Sequence, residues 1–210
     1  MAERATACLM VKAPRPGRVK TRLAREIGEM AAVRFHRHNT ATIIRRLRDD
    51  ARWRLVLAVT PDSARWARWW PGDLPRIGQG GGDLGARMAH VFAQAGPGPA
   101  LIVGSDIPGV TAARTGAALK ALRGHDAVIG PAPDGGYWLI GLRQGVMPCG
   151  LFDSVRWSGK HARADTLANL AARGLSVAFA GELSDVDDAA GYRATGAANT
   201  RVVPPVTGAR

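Results

Sequence analysis

Apolar residues follow two rhythms along this chain: short uninterrupted runs, and longer stretches where they return every three or four positions. Ala7-Cys8-Leu9-Met10-Val11 is the first run and stops at Lys12. A strand over Trp53 to Val59, carrying the run Leu55-Val56-Leu57-Ala58-Val59, and the run Ala100-Leu101-Ile102-Val103-Gly104 repeat it. Asp126 to Pro131, Tyr137 to Leu142 and Leu175 to Ala180 do so again. Such runs predict strands buried on both faces, as in a parallel sheet. Between them, Glu26 to Asp49 predicts a helix, with Ile27, Met30, Ala31, Phe35, Ile43, Ile44 and Leu47 in helical register. A short helix is expected to open at Thr60-Pro61-Asp62-Ser63, with Trp66, Trp69 and Trp70 along one side. Further helices are expected from an Asp83 cap to Ala95, from a Thr111 cap to Arg123, from His161 to Arg173, and briefly after Asp188. Pro71 to Ile77 and Leu151 to Ser158 are expected to be irregular. Strands alternating with helices predict a three-layer α/β/α fold on a mostly parallel sheet. One domain is expected over residues 1–199, with a frayed tail from Thr200 to Arg210.

Charge sharpens this picture. The net charge is +12, and thirteen of the 29 Lys and Arg residues lie between Lys12 and Arg54, against four acidic residues. That asymmetry predicts attraction to an anionic ligand or surface. A length of 210 residues with 46% apolar content supports a real core and excludes wholesale disorder. Cys8 and Cys149 form neither a metal-ligand spacing nor a disulfide framework. The apolar run from Ala5 to Val11 is too short for a signal peptide or a bilayer span, so no membrane partner and a cytoplasmic location are expected.

Candidate chemistry gathers where strands end. The loop after the first strand carries Lys12, Arg15, Arg18, Lys20 and Arg22 among Pro and Gly. In an open α/β sheet, ligands bind outside the carboxyl ends of strands, so this loop reads as a phosphate site or, more plainly, as a solvated turn. Arg grips phosphate oxygens bidentately and Lys acts as a point charge. Gln79-Gly80-Gly81-Gly82 lets backbone approach a ligand or serves as a connector. Asp106, just past the central run, is a candidate ligand for a divalent metal, with a turn Asp before Pro108 as the alternative. Asp134-Gly135-Gly136 is a hairpin turn or a ligand-facing loop. Glu182 to Asp188 holds four acids, either solvated or supplying a second metal carboxylate. His36 and His38 sit two apart on a helix and point to different faces, so they are read as packed or solvated. The three tryptophans are read as packing, with base stacking as the alternative. Arg45, Arg46, Arg48 and Arg52 favour the negative end of their helix and are read as a solvated face rather than a nucleic-acid contact. There is no Walker A loop, no Gly-x-Gly-x-x-Gly after the first strand, no Gly-x-Ser-x-Gly and no Cys/His pair. Kinase-type NTPases, Rossmann dehydrogenases and covalent hydrolases are thereby disfavoured.

Several motifs together resemble a known group. Lys12-Ala-Pro-Arg-Pro-Gly-Arg-Val-Lys-Thr-Arg-Leu23, Asp83-Leu-Gly-Ala-Arg-Met88, Gly104-Ser-Asp-Ile-Pro108, Gly130-Pro-Ala-Pro-Asp-Gly-Gly-Tyr-Trp-Leu-Ile-Gly141 and Val155-Arg-Trp-Ser158 occur in that order, followed by Asp185-Val-Asp187. Over roughly residues 7 to 190 they are similar to a bacterial family in the nucleotide-diphospho-sugar transferase (GT-A) superfamily. Some of its members are labelled arsenosugar-biosynthesis glycosyltransferases, and it is related to the lactate guanylyltransferases of deazaflavin-cofactor synthesis. The resemblance implies a GT-A fold with a mixed sheet. It implies nucleotide binding by Lys12, Arg15, Gly17, Lys20 and Arg22, and a nucleoside pocket at Gly82 and Asp83. Asp106 would hold Mg²⁺ or Mn²⁺, with Asp187 as second carboxylate and Asp185 as its substitute. Lys20, Arg22 and Asp106 would act in catalysis, and Asp134, Gly135, Gly136 and Tyr137 would border the acceptor, where Asp134 is the expected catalytic group if an acceptor hydroxyl must lose a proton. Two departures stand out: Asp106-Ile107-Pro108 replaces the Asp-x-Asp of sugar transfer, and Asp188-Ala-Ala-Gly replaces Thr-Pro-Glu-Asp. The implied activity is metal-dependent transfer from a nucleotide sugar to a small-molecule acceptor. Nucleotidyl transfer from an NTP with release of pyrophosphate is the alternative, and a non-catalytic nucleotide-binding module the third.

Overall fold

The computed structural model describes residues 3–194. Its strands are β1 (Ala5–Lys12), β2 (Trp53–Thr60), β3 (Arg76–Gly78), β4 (Ala100–Gly104), β5 (Ala127–Pro131), β6 (Tyr137–Leu142) and β7 (Val177–Phe179). They form one sheet in the order β3-β2-β1-β4-β6-β5-β7. Among the described residues β6 alone runs antiparallel to its neighbours, and the other pairings are parallel. The sheet is therefore mostly parallel and mixed.

Continuously apolar strands are what such a sheet demands, because both faces are covered. Alternate residues of β1 serve opposite cores. Leu9 and Val11 pack with Ile43 and Leu47 of α2 (Glu29–Leu47) and with Ala118 of α4 (Ala112–Ala121). Cys8, with Val56 and Ile102 opposite it in register, packs under Met88 and Val91 of α3 (Leu84–Gln94) and Leu170 of α5 (Ala162–Ala172). Each fully buried Leu, Ile or Val contributes about 1.5–3 kcal/mol relative to exposure, so β1 and its two neighbours anchor the fold. Asp83 and Thr111 cap α3 and α4, accepting from Ala86 N at 2.8 Å and Arg114 N at 3.3 Å.

Three expectations are corrected. The helix over Glu26 to Asp49 is two helices, α1 (Thr21–Ile27) and α2, divided at Gly28, whose φ of 86° ends α1. The tryptophans do not share a helix side. A 3₁₀ turn over Asp62–Trp66 ends when Ala67 turns extended (φ −66°, ψ 141°). Trp70 is buried, its indole N–H donating to Ala64 O at 3.0 Å, whereas Trp66 and Trp69 are 71% and 47% exposed. The stretch Pro71 to Ile77 is not wholly irregular, since β3 pairs onto the edge of β2; three residues are too few to show a period. A final helix α6 spans Ala189–Ala194, and the tail from Thr200 to Arg210 lies outside the described residues. Among the described residues no helix is long and apolar enough to cross a membrane.

The order places β1 between β2 and β4. The chain winds outward from β1 through β2 to β3, then returns to β4 on the other side of β1. The connections from β1 and β4 leave in opposite directions, which opens a crevice at their carboxyl ends. Lys12 and Asp106 stand there.

Candidate active site

Lys20 is the pivot of the crevice. It precedes α1 with φ 44° and ψ 47°, a left-handed conformation that costs an L-residue about 1–2 kcal/mol. Its side chain is only 4% exposed, while that of Arg22 is 79% exposed. Lys20 Nζ donates to Asp187 Oδ1 at 2.9 Å and lies 3.6 Å from Asp106 Oδ1; Arg22 Nη1 is 3.9 Å from Asp187 Oδ2. One ammonium thus joins two acidic segments that are remote in sequence.

Asp106 is held from behind by α2. His36 Nε2 bonds the Lys12 carbonyl at 3.0 Å, which can only accept, and His36 Nδ1 faces Asp106 Oδ1 at 3.4 Å. Asn39 Nδ2 donates to Ser105 O at 2.8 Å, fixing the peptide before Asp106. Burial pushes the Asp106 carboxyl up, but His36 and Lys20 together outweigh it and hold it below the usual carboxylate range. Asp185 goes the other way. Burial and then the nearby Asp187 charge push it up to about 6, against the pull of Lys20, and Asp134 adds to the rise.

These residues fit a divalent cation. Asp106, Asp185 and Asp187 outnumber the one buried lysine, and Asp185 is driven toward its neutral form first by burial and then by the neighbouring negative charge. Among the described residues no three His, Cys, Asp or Glu side chains already surround a common point. Magnesium needs only one or two carboxylates, its remaining positions going to phosphate and water, so Asp106 and Asp187 suffice.

Beside this cluster lies a cavity of about 570 Å³ along the carboxyl edge of the sheet. Of the residues singled out from sequence, Lys12, Asp106, Asp134, Gly136, Tyr137 and Asp185 line it. Lys20 and Asp187 join it through Asp106. Arg15 and Gly17 in the first loop and Arg22 in the first turn of α1 stay exposed and do not line the cavity, nor do Gly82 and Asp83, whose carboxylate caps α3. Gly135 shapes the wall from outside. Its φ is +85°, and a Cβ there would sit 2.3 Å from Lys160 O, so only glycine lets the loop lie against the start of α5. Arg163 N donates to Gly135 O at 2.9 Å, and Gly136 N to Asp134 Oδ1 at 2.8 Å. Tyr137 Oη is 3.4 Å from Thr166 Oγ1, and burial raises its hydroxyl above the usual phenol range.

Four residues at the site escaped the sequence reading. His36 and Asn39 lie on the side of α2 facing the crevice, and nothing in a helical pattern distinguishes them from packed polar residues. Arg87 and Trp157 also line the cavity, and both stand inside ordered motifs, Asp83 to Met88 and Val155 to Ser158, which was the available signal.

A switch-point crevice with a basic loop on one side and an acidic pair on the other stands here on a mixed sheet shared with transferases that act on nucleotide substrates. A family described as uncharacterized protein conserved in bacteria (DUF2064) matches residues 43–159, and the chain belongs to it. A protein from Desulfovibrio desulfuricans G20, provisionally described as a nucleotide-diphospho-sugar transferase, is 30% identical, with a TM-score of 0.85 over 97% of this chain and 90% of that one. The 4-diphosphocytidyl-2C-methyl-D-erythritol synthase of Anaerococcus prevotii DSM 20548 is 10% identical, with a TM-score of 0.60 over 93% of this chain and 98% of its own. Rv0371C of Mycobacterium tuberculosis H37Rv, in complex with manganese, is 15% identical, with a TM-score of 0.55 over 91% of this chain and 97% of its own. The last two are likenesses of fold. No curated protein matches the chain. The resemblance carried by the motifs is borne out for family and fold.

Proposed function

We propose that this transferase takes a nucleoside triphosphate and passes its nucleotidyl group to a small-molecule acceptor, releasing pyrophosphate. The observation that carries the reading is Lys20, buried between Asp106 and Asp187 at the end of a loop with four further cations. Such a concentration of positive charge suits a triphosphate. Each cation about 4 Å from a phosphate charge is worth ~4 kcal/mol at an effective dielectric near 20, before desolvation.

In the step itself an acceptor oxygen forms a bond to the α-phosphorus, and the bond from that phosphorus to the bridging oxygen breaks. Lys12 and Lys20 neutralise the charge that accumulates on the departing pyrophosphate, with Arg15 and Arg22 closing from the exposed side of the loop. Asp134, on the β6 side of the cavity, takes the proton if the acceptor is a hydroxyl. Asp106 and Asp187 would hold Mg²⁺ or Mn²⁺, which when bound supplies further charge neutralisation at the phosphates. A second reading, a nucleotide-sugar donor, is favoured by the description of the Desulfovibrio relative. The same cavity serves either donor.

The test is thermal unfolding with each NTP and a panel of nucleotide sugars, in Mn²⁺ and in chelator, followed by ³¹P detection of pyrophosphate with mixed small-molecule acceptors. A ligand at a hundred times its Kd stabilises by about 2.7 kcal/mol. Metal-dependent stabilisation by an NTP, lost in Asp106→Asn, supports nucleotidyl transfer. Stabilisation by nucleotide sugars alone moves the assignment to glycosyl transfer. A response to neither refutes both.

A further inference from the structure

The cavity runs along the carboxyl edge of the sheet, with Asp134 on its β6 side and Thr60 and Gln79 by the ends of β2 and β3. The β2–β3 side holds a device that the transfer chemistry does not use. Gln79, only 1% exposed, donates through Nε2 to Val11 O at 3.1 Å and to Ala58 O at 2.7 Å. Both acceptors are backbone carbonyls, so the amide has one orientation and its Oε1 must point the other way. There it accepts from Arg87 Nε at 3.0 Å and from Arg87 Nη2. Arg87 is half-buried, and burial lowers its guanidinium from its ordinary value, opposed only by Asp62. Among the described residues no carboxylate lies within ion-pair distance of it, and Nη1 makes no hydrogen bond. One edge of the guanidinium is therefore clamped by Gln79. The distal edge, Nη1–H and Nη2–H, is held planar and rigid at the cavity wall without a partner.

We infer that Arg87, clamped by Gln79, reads the nucleobase and selects bases that present two adjacent hydrogen-bond acceptors. A planar two-donor fork pairs with two coplanar acceptors. Guanine offers O6 and N7, the pairing by which arginine specifies guanine in nucleic acids. Cytosine offers O2 and N3. Adenine places an amino donor beside N7 and beside N1, and uracil places an N–H between its two carbonyls, so each meets the fork with a donor against a donor. A half-buried donor left without its acceptor is where rejection arises. The inference rests on the reading of the cavity as a nucleotide site. Arg87 is a binding residue and Gln79 a positioning residue.

The experiment is isothermal titration in Mn²⁺ of the wild type, Arg87→Met, Arg87→Lys and Gln79→Leu. The ligands are GTP, CTP, ATP and UTP, with GDP-, CMP-, ADP- and UDP-sugars as a parallel set. The expected wild-type result is tighter binding of the guanine or cytosine member by tenfold or more. Arg87→Met should weaken only that member and bring the four within about threefold. Arg87→Lys, a point charge without the fork, should fail to restore the preference. Gln79→Leu should blunt the preference while binding and thermal unfolding persist, and if it does not fold, the Arg87 variants decide. Equal weakening of all four bases would make Arg87 a phosphate contact and overturn the inference, as would an unchanged preference in Arg87→Met. Binding confined to nucleotide sugars, with the same base preference, would overturn nucleotidyl transfer and leave this inference standing. No binding of any base by the wild type would overturn both.

Discussion

Replacing Lys20 with Met tests the central claim about the crevice. The substitution keeps the unbranched shape of the side chain, one atom shorter, and removes its charge, leaving Asp106 and Asp187 facing each other across an uncharged methyl group. At 2.9 Å and 3.6 Å the two pairings are worth about 6 and about 5 kcal/mol at an effective dielectric near 20. These are gross figures, since burying the ammonium opposes them. Breaking a fully buried pair costs about 3–5 kcal/mol and an exposed one about 0–1. Here the lysine is buried but the carboxylates are 51% and 46% exposed, so about 1–3 kcal/mol is expected. For a chain of this size that lowers Tm by roughly 2–12 °C, read by circular dichroism in chelator. In Mn²⁺ the deficit should shrink, because the ion replaces the missing positive charge between the two acids. Nucleotide affinity should not recover, since the phosphates have lost their cation. A variant as stable as the wild type in chelator would refute the claim that Lys20 ties the two acidic segments together, and unchanged nucleotide affinity would refute its role at the phosphates.

Two further changes probe the walls of the fold. Gly135→Ala places a Cβ against the Lys160 backbone at a left-handed position, so a loss of about 2–4 kcal/mol is expected. Chemical denaturation measures it, and a loss below about 0.5 kcal/mol would show that the loop can shift. The Asp126 carboxylate accepts from Ser176 on the β7 side and from Arg143 just past β6, and these hold it well below the usual range. A depressed folded-state value means that the stabilisation is present above the unfolded value of about 3.9 and lost as pH falls below it. Asp126→Asn should therefore lower Tm at pH 7, and the gap from wild type should close as pH drops below about 4; a gap independent of pH would contradict this origin.

Much of the fold was legible because it is written in contiguous residues. A buried strand shows itself as an apolar run, and a cap shows itself one position before its helix, as Asp83 and Thr111 do. Where a single local event decided the outcome, the pattern misled. Gly28 divides what reads as one helix, and Ala67 ends a 3₁₀ turn before Trp69 and Trp70 can align with Trp66. The edge strand β3 is too short to carry a period at all.

By itself the sequence determined the alternation of strands and helices, the basic loop after β1 and the placing of Asp106 past a central strand. Each of these depends on neighbours within a few positions. Only the tertiary structure decided that β4 lies beside β1, and therefore that Asp106 meets Lys20. The same packing set His36 behind Asp106 and brought the segment after β7 back so that Asp187 closes the pair. It also put Gln79 under the carbonyls of two strands, leaving Arg87 one open edge. Such meetings follow from strand order and layer packing, in which residues far apart along the chain become neighbours, and no local period records them.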